Sequence, residues 1–186
     1  MKFSTTLLSS LGLVMALAAN NLYAAETPTE TAALPDVPAH EEHGAHEHGT
    51  GTLNITQSEQ DIEITLDSPG MNLFGFEYQP KSDADKQAVA APEAKLWIGA
   101  NLFGFDEAAD CKQTAATLDT TAEDDAHSDV AMSWAFTCTK PDALETVSTK
   151  LFSTFSGFHQ LNAEWVTNAG ASALKLDKDA TITLAP

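Results

Sequence analysis

Six histidines occur in the chain, and four of them, His40, His43, His46 and His48, fall within nine residues in the run AHEEHGAHEHG. Neutral imidazole is the commonest protein ligand for divalent transition metals, and the interleaved glutamates raise local cation concentration and keep the segment solvated. A polar linker accounts for one such histidine. Four at this density point to metal binding.

Donors of a second kind lie far along the chain. His127 and Asp129 repeat the His-x-donor spacing of His46 and His48. An ion such as zinc takes about four ligands at ~2.0–2.2 Å from nitrogen or oxygen, so one pair alone does not complete its shell. His46 and His48, two apart in a segment read as extended and leading into the first strand, project to one side. Joining the two pairs clamps the N-terminal segment onto the loop that holds His127. The candidate ligands are therefore His46, His48, His127 and Asp129, with Glu77 as an additional carboxylate and His40 and His43 as a loading arm. Each has a plainer role beside it. Asp129 can cap a turn or blunt a strand edge, and Glu77 can accept backbone donors beside Gly70 and Gly75. His159, next to Phe155, Phe158 and Leu161, reads as packed or solvent-facing, and Trp97, Trp134 and Trp165 read as core.

The compartment follows from the first residues. Lys2 precedes an apolar stretch from Leu7 to Ala19, and Leu22-Tyr23-Ala24 ends in a small residue. That is the pattern of a secretory signal peptide cut after Ala24, and the stretch is well short of the ~20 residues of a membrane span, so no membrane insertion is expected after cleavage. Cys111 and Cys138 are the only cysteines. Their spacing fits neither a redox Cys-x-x-Cys nor a zinc knuckle, and in an oxidising compartment they are expected to pair. Closing that loop contributes ~3–4 kcal/mol in the chain-entropy model.

Loss of Lys2 with the signal peptide takes the formal charge from −18 to −19, and the chain has no arginine. Such a surface repels nucleic acid and anionic headgroups and attracts cations. Catalytic signatures are missing as well. His40-Glu41-Glu42-His43 is one residue short of the metalloprotease spacing, and no nucleophile elbow, phosphate loop or dinucleotide fingerprint occurs, so the protein reads as no enzyme.

Residues 25–49 have almost no large apolar side chains and read as a flexible arm rich in His and acids; residues 50–186 carry strand and helix periods and read as one domain. Leu53 and Ile55, then Ile62, Ile64 and Leu66, alternate with polar residues as in a hairpin. Val130, Met132, Trp134, Phe136 and Cys138 do so over five same-face positions. Further strands are expected at 111–121, 144–151, 161–167 and 171–176. A helix is expected over 82–100, started by Asp83 and Asp85, with Pro92 kinking it or opening a second helix, and a short helical turn over 152–156. Strands broken by one main helix give an α+β fold with a largely antiparallel sheet and one internal disulfide.

His46-Glu47-His48-Gly49 before a strand, Asp67-Ser68-Pro69 leading to Met71-Asn72-Leu73-Phe74-Gly75-Phe76-Glu77, Cys111, His127-Ser128-Asp129 entering an aromatic strand to Cys138, and Lys150-Leu151-Phe152-Ser153-Thr154-Phe155 follow one another in this order. The succession resembles the ZrgA-type family of zinc-regulated periplasmic proteins of Gram-negative bacteria over residues 46–186. The resemblance implies a periplasmic zinc-binding protein that works with envelope zinc-transporter components. It departs in two places: Tyr78 stands where relatives commonly have His, and the His/Asp tract between the cysteines shrinks to residues 122–127. The zinc label comes from the resemblance; the competing function is a scaffold subunit of an envelope transporter whose histidine arm only buffers metal.

Overall fold

In the computed structural model, residues 47–122, 127–168 and 170–185 are described. The expected signal peptide and most of the expected arm, with His40, His43 and His46, lie outside the described residues.

The alternating pattern yields its hairpin. Strands β1 (Thr50–Ser58) and β2 (Asp61–Pro69) pair antiparallel, with Leu53 opposite Leu66 and Ile55 opposite Ile64. β5 (Ser128–Cys138) joins the other side of β2 and β4 (Cys111–Ala122) pairs with β5, both antiparallel. β7 (Gln160–Thr167) lies parallel to β1, and β8 (Gly170–Leu176) closes the sheet at the far edge. The order is β4-β5-β2-β1-β7-β8. Only β1–β7 breaks the antiparallel rule, because the chain crosses over through the intervening helices and second sheet before returning beside β1.

A second sheet of three short antiparallel strands, β3 (Phe103–Phe105), β6 (Thr146–Thr149) and β9 (Ala180–Thr183), was not anticipated as a sheet. It covers the apolar face of the large sheet: the Phe105 ring meets the edge of Phe136 at 4.7 Å, and Trp165 Nε1 donates to the Leu184 carbonyl at 3.0 Å. Leu53, Ile55, Ile62, Ile64, Leu66, Met132 and Trp134 are fully buried between the layers. The fold is α+β with a mainly antiparallel sheet.

Helix α2 (Asp83–Leu96) starts at a capping box, with Asp85 N donating to Ser82 Oγ at 3.1 Å and Ser82 N to Asp85 Oδ2 at 3.2 Å. The helix runs through Pro92 rather than restarting there. Ala88, whose carbonyl loses its partner to the proline, is exposed, so water can supply the bond. The expected helix to Ala100 instead ends at Leu96, and a separate turn, α3 (Gly99–Leu102), follows. Trp97, expected in the core, lies at this break and is 45% exposed. α1 (Gly70–Phe74) and α4 (Leu151–Thr154) are single turns, α4 receiving Asp179 Oδ1 on the Phe152 and Ser153 N–H groups.

Cys111 and Cys138 form the disulfide and are register partners in β4 and β5. The bridge therefore staples the hairpin at the end opposite His127, rather than pinning the loop that carries it.

Asp106 ties the strand β3 connection to β6. Its Oδ2 accepts from Glu145 N at 2.8 Å and Thr146 N at 2.7 Å, and Oδ1 accepts from the Thr146 hydroxyl at 3.0 Å. Burial pushes its carboxyl pKa up, but these bonds and its own N–H outweigh burial and hold it below the ordinary carboxylate value. A depressed folded pKa contributes stability that is fully present above the unfolded value of ~3.9 and is lost as pH falls through the folded one. Asp106→Ala is expected to cost about 1–2 kcal/mol at pH 7 in urea unfolding, with the gap to wild type narrowing as pH falls below the unfolded value of ~3.9. A gap that widens in acid contradicts this account.

Candidate metal centre

His48 sits in a tight turn. Thr50 N donates to the Glu47 carbonyl at 3.0 Å and Gly49 has φ +88°, a left-handed value that glycine adopts without strain. The extended geometry expected here is thus replaced by a turn from Glu47 onward, and alternation does not set the direction of His48. The turn belongs to the folded body although its composition resembles the arm: Gly49 is buried, and its carbonyl accepts from His159 N at 2.7 Å and Gln160 N at 2.9 Å. A Cβ at position 49 would come within 2.6 Å of His159 Cδ2.

Glu77 reaches the same place from α1. That helix ends at Gly75, φ +83°, whose N–H returns to the Met71 carbonyl at 3.0 Å, and the chain then runs through Phe76 to Glu77. The Glu77 side chain is only 5% exposed, whereas His48 is 54% exposed. His48 Nε2 and Glu77 Oε1 stand 3.2 Å apart, yet Oε1 is buried without a hydrogen bond. The two atoms are close but not aligned along a ring N–H. Two donors on one tetrahedral ion at ~2.0–2.2 Å stand ~3.3–3.6 Å apart, off the line of any direct bond. At 3.2 Å the pair is slightly tighter than that, so an ion between them needs a small outward shift of the exposed His48 ring, and the buried oxygen has an unfilled bonding demand.

Among the described residues no third His, Cys, Asp or Glu completes a coordinating group with this pair. Two other candidates, His127 and Asp129, lie at the end of the large sheet where β1 begins, β2 ends and β5 begins. Asp129 is the register partner of both Pro69 and Thr121 and lines a cleft with Glu47 and Asp67. His127 is exposed at the entry to β5. Residues 123–126 lie outside the described residues, as does His46, two positions before His48. His159 is exposed and faces an open cleft of about 510 Å³ together with His48, Asn72 and Lys95.

Tyr78 points elsewhere. Its ring stacks on Phe76 at 4.6 Å and its hydroxyl donates to Asp85 Oδ1 at 3.2 Å. That hydrogen bond, with a smaller push from the carboxylate charge, raises the phenol pKa above its ordinary value. Position 78 is thus committed to the start of α2.

Sequence reasoning missed Asn72. It is 2% exposed, and its amide binds the Gly49 N–H and the Thr50 carbonyl, the two residues that follow His48. The available signal was a single amide inside the apolar run Met71-Asn72-Leu73-Phe74.

Among known proteins, residues 45–184 match the family described as ZrgA family zinc uptake protein. No curated protein matches the chain.

Proposed function

The chain belongs to the ZrgA family of zinc uptake proteins, and from that premise we propose that it captures Zn²⁺ in the periplasm and carries it within an envelope uptake system. One observation carries the reading: a buried carboxylate oxygen with no hydrogen bond faces an imidazole nitrogen at 3.2 Å. An unpaired buried acceptor costs stability unless something fills it, and a divalent cation fills it best.

In this reading His48 and Glu77 form the fixed half of the site. The remaining donors proposed for the ion, His46, His127 and Asp129, are drawn to this pair only when zinc binds, since no third donor stands beside it among the described residues, and His40 and His43 load ions onto it. The acidic surface concentrates cations around the mouth. Binding is reversible because neutral imidazole competes with protons near its pKa of ~6.5, so the ion can be handed on without any bond-making reaction. Divalent affinities favour Cu²⁺ over zinc at a His/carboxylate site, so the choice of zinc rests on geometry and supply.

The test is elemental analysis of the mature protein, isolated from a periplasmic fraction without chelators or affinity tags, followed by competition titration with a chromophoric zinc chelator. One tightly held zinc per chain, retained after deletion of residues 25–45, is the expected result. Weak binding of several ions that disappears with the arm would overturn the carrier and leave the scaffold whose arm buffers metal.

A further inference from the structure

We propose that Asn72 is the positioning residue of the His48–Glu77 pair, its side-chain amide locking the turn that carries His48 onto the helix that leads to Glu77. The proposal rests on the zinc-site reading above. Every polar atom of the amide is used. Oδ1 accepts from Gly49 N at 2.7 Å, and Nδ2 donates to the Thr50 carbonyl at 2.9 Å and to Ser68 Oγ at 3.1 Å. Ser68 Oγ in turn donates to the Pro69 carbonyl at 3.0 Å, which leaves its lone pair for Nδ2. The amide has one workable orientation, since flipping it sets oxygen against the Thr50 carbonyl and NH₂ against the Gly49 N–H.

The backbone of Asn72 is held as well. A Cβ at Gly157 would lie 2.4 Å from the Asn72 carbonyl oxygen, so the chain after α4 presses directly on it. That chain then continues to His159, whose N–H grips Gly49. Three segments thereby meet at one residue: the turn 47–50 through the Asn72 side chain, residues 155–160 through its backbone, and helix α1, which carries it. His48 is one residue from the Gly49 N–H that the amide binds. Glu77 is five residues beyond Asn72, past a closed helical turn and its left-handed cap.

Two donors on separate segments ligate one ion tightly only when their separation is set before the ion arrives, and groups behind metal ligands typically matter 10–100-fold in affinity. Asn72 supplies that setting here without touching the ion. Alanine removes the clamp. Aspartate keeps an acceptor for Gly49 N but turns an anionic oxygen on the Thr50 carbonyl.

The test measures zinc affinity by chelator competition and the ligand-field spectrum of the Co²⁺-loaded full mature chain, at a temperature where circular dichroism shows each variant folded. Asn72→Ala and Asn72→Asp are expected to bind zinc roughly 10–100-fold more weakly and to shift the Co²⁺ spectrum. Asp106→Ala, destabilised in the other sheet, is expected to lower the melting temperature and leave both readouts unchanged. Folded Asn72 variants with wild-type affinity and spectrum overturn the proposal. Should both fail to fold, Ser68→Ala carries the test by removing one acceptor of the amide: about threefold weaker binding supports positioning, and unchanged affinity overturns it. Wild-type affinity in Glu77→Gln would overturn the site reading itself, an outcome distinct from failure of the Asn72 variants alone.

Discussion

Glu77→Gln is expected to abolish tight zinc binding while raising the melting temperature of the zinc-free protein. The two effects have one cause. The Glu77 carboxylate is buried, and its Oε1 has a neighbouring imidazole at 3.2 Å but no hydrogen bond. An unsatisfied buried acceptor costs about 1–3 kcal/mol, and more when charged. Glutamine keeps the shape and removes the charge, so the zinc-free fold gains about 1 kcal/mol, worth a few degrees in melting temperature. It also removes the one anionic donor that stands against His48 among the described residues, so affinity falls at least about 100-fold. Thermal unfolding with and without zinc reads both: the variant melts higher than wild type without metal and gains nothing when zinc is added. Equal zinc-induced stabilisation in the two proteins would remove Glu77 from the site. A residue retained at a cost to the empty fold is the signature of a group whose partner arrives later.

The largest loss of stability is expected at Trp134. It is 0% exposed on β5, its Nε1 donates to the Leu96 carbonyl at 2.6 Å, and its ring meets Phe103 at 5.0 Å and 70°. Gly99 lies directly beneath, where a Cβ would come within 2.5 Å of Trp134 Cδ1. One side chain thus fastens the large sheet to the end of α2, to α3 and to the second sheet. Trp134→Ala should cost about 3–5 kcal/mol, a large share of the ~5–15 kcal/mol available to a domain. Trp134→Phe separates the terms, because it keeps most of the apolar volume and leaves the Leu96 carbonyl without its donor, for about 1–3 kcal/mol. Urea unfolding with the disulfide intact measures both. A cost below about 1 kcal/mol for the alanine variant would mean that the layers are held elsewhere.

Much of the fold was legible before any coordinates. Leu53, Ile55, Ile62, Ile64 and Leu66 announced β1 and β2, and the run Val130 to Cys138 announced β5, because period-two burial is written into residue type. Asp83 and Asp85 announced the start of α2 for the same kind of local reason. Its end was not legible, since nothing local distinguishes Trp97 at an exposed break from a tryptophan in a core. The strand expected at 144–151 contains β6, but the second sheet escaped because β3 has three residues and β9 four, too few for periodicity to register.

For the site, the sequence by itself determined which residue types can hold a cation, that they come in separated clusters, and that Gly70 and Gly75 stand where the chain can bend. Only the tertiary structure decided that His48 meets Glu77, that Asp129 faces the neighbouring acidic cleft with Glu47, and that Asn72 stands behind the pair. The reason is physical. Donor chemistry belongs to each residue alone, whereas a 3.2 Å approach between segments depends on strand register, turn geometry and the backbone amides an asparagine finds, and backbone amides look the same at every position of a sequence.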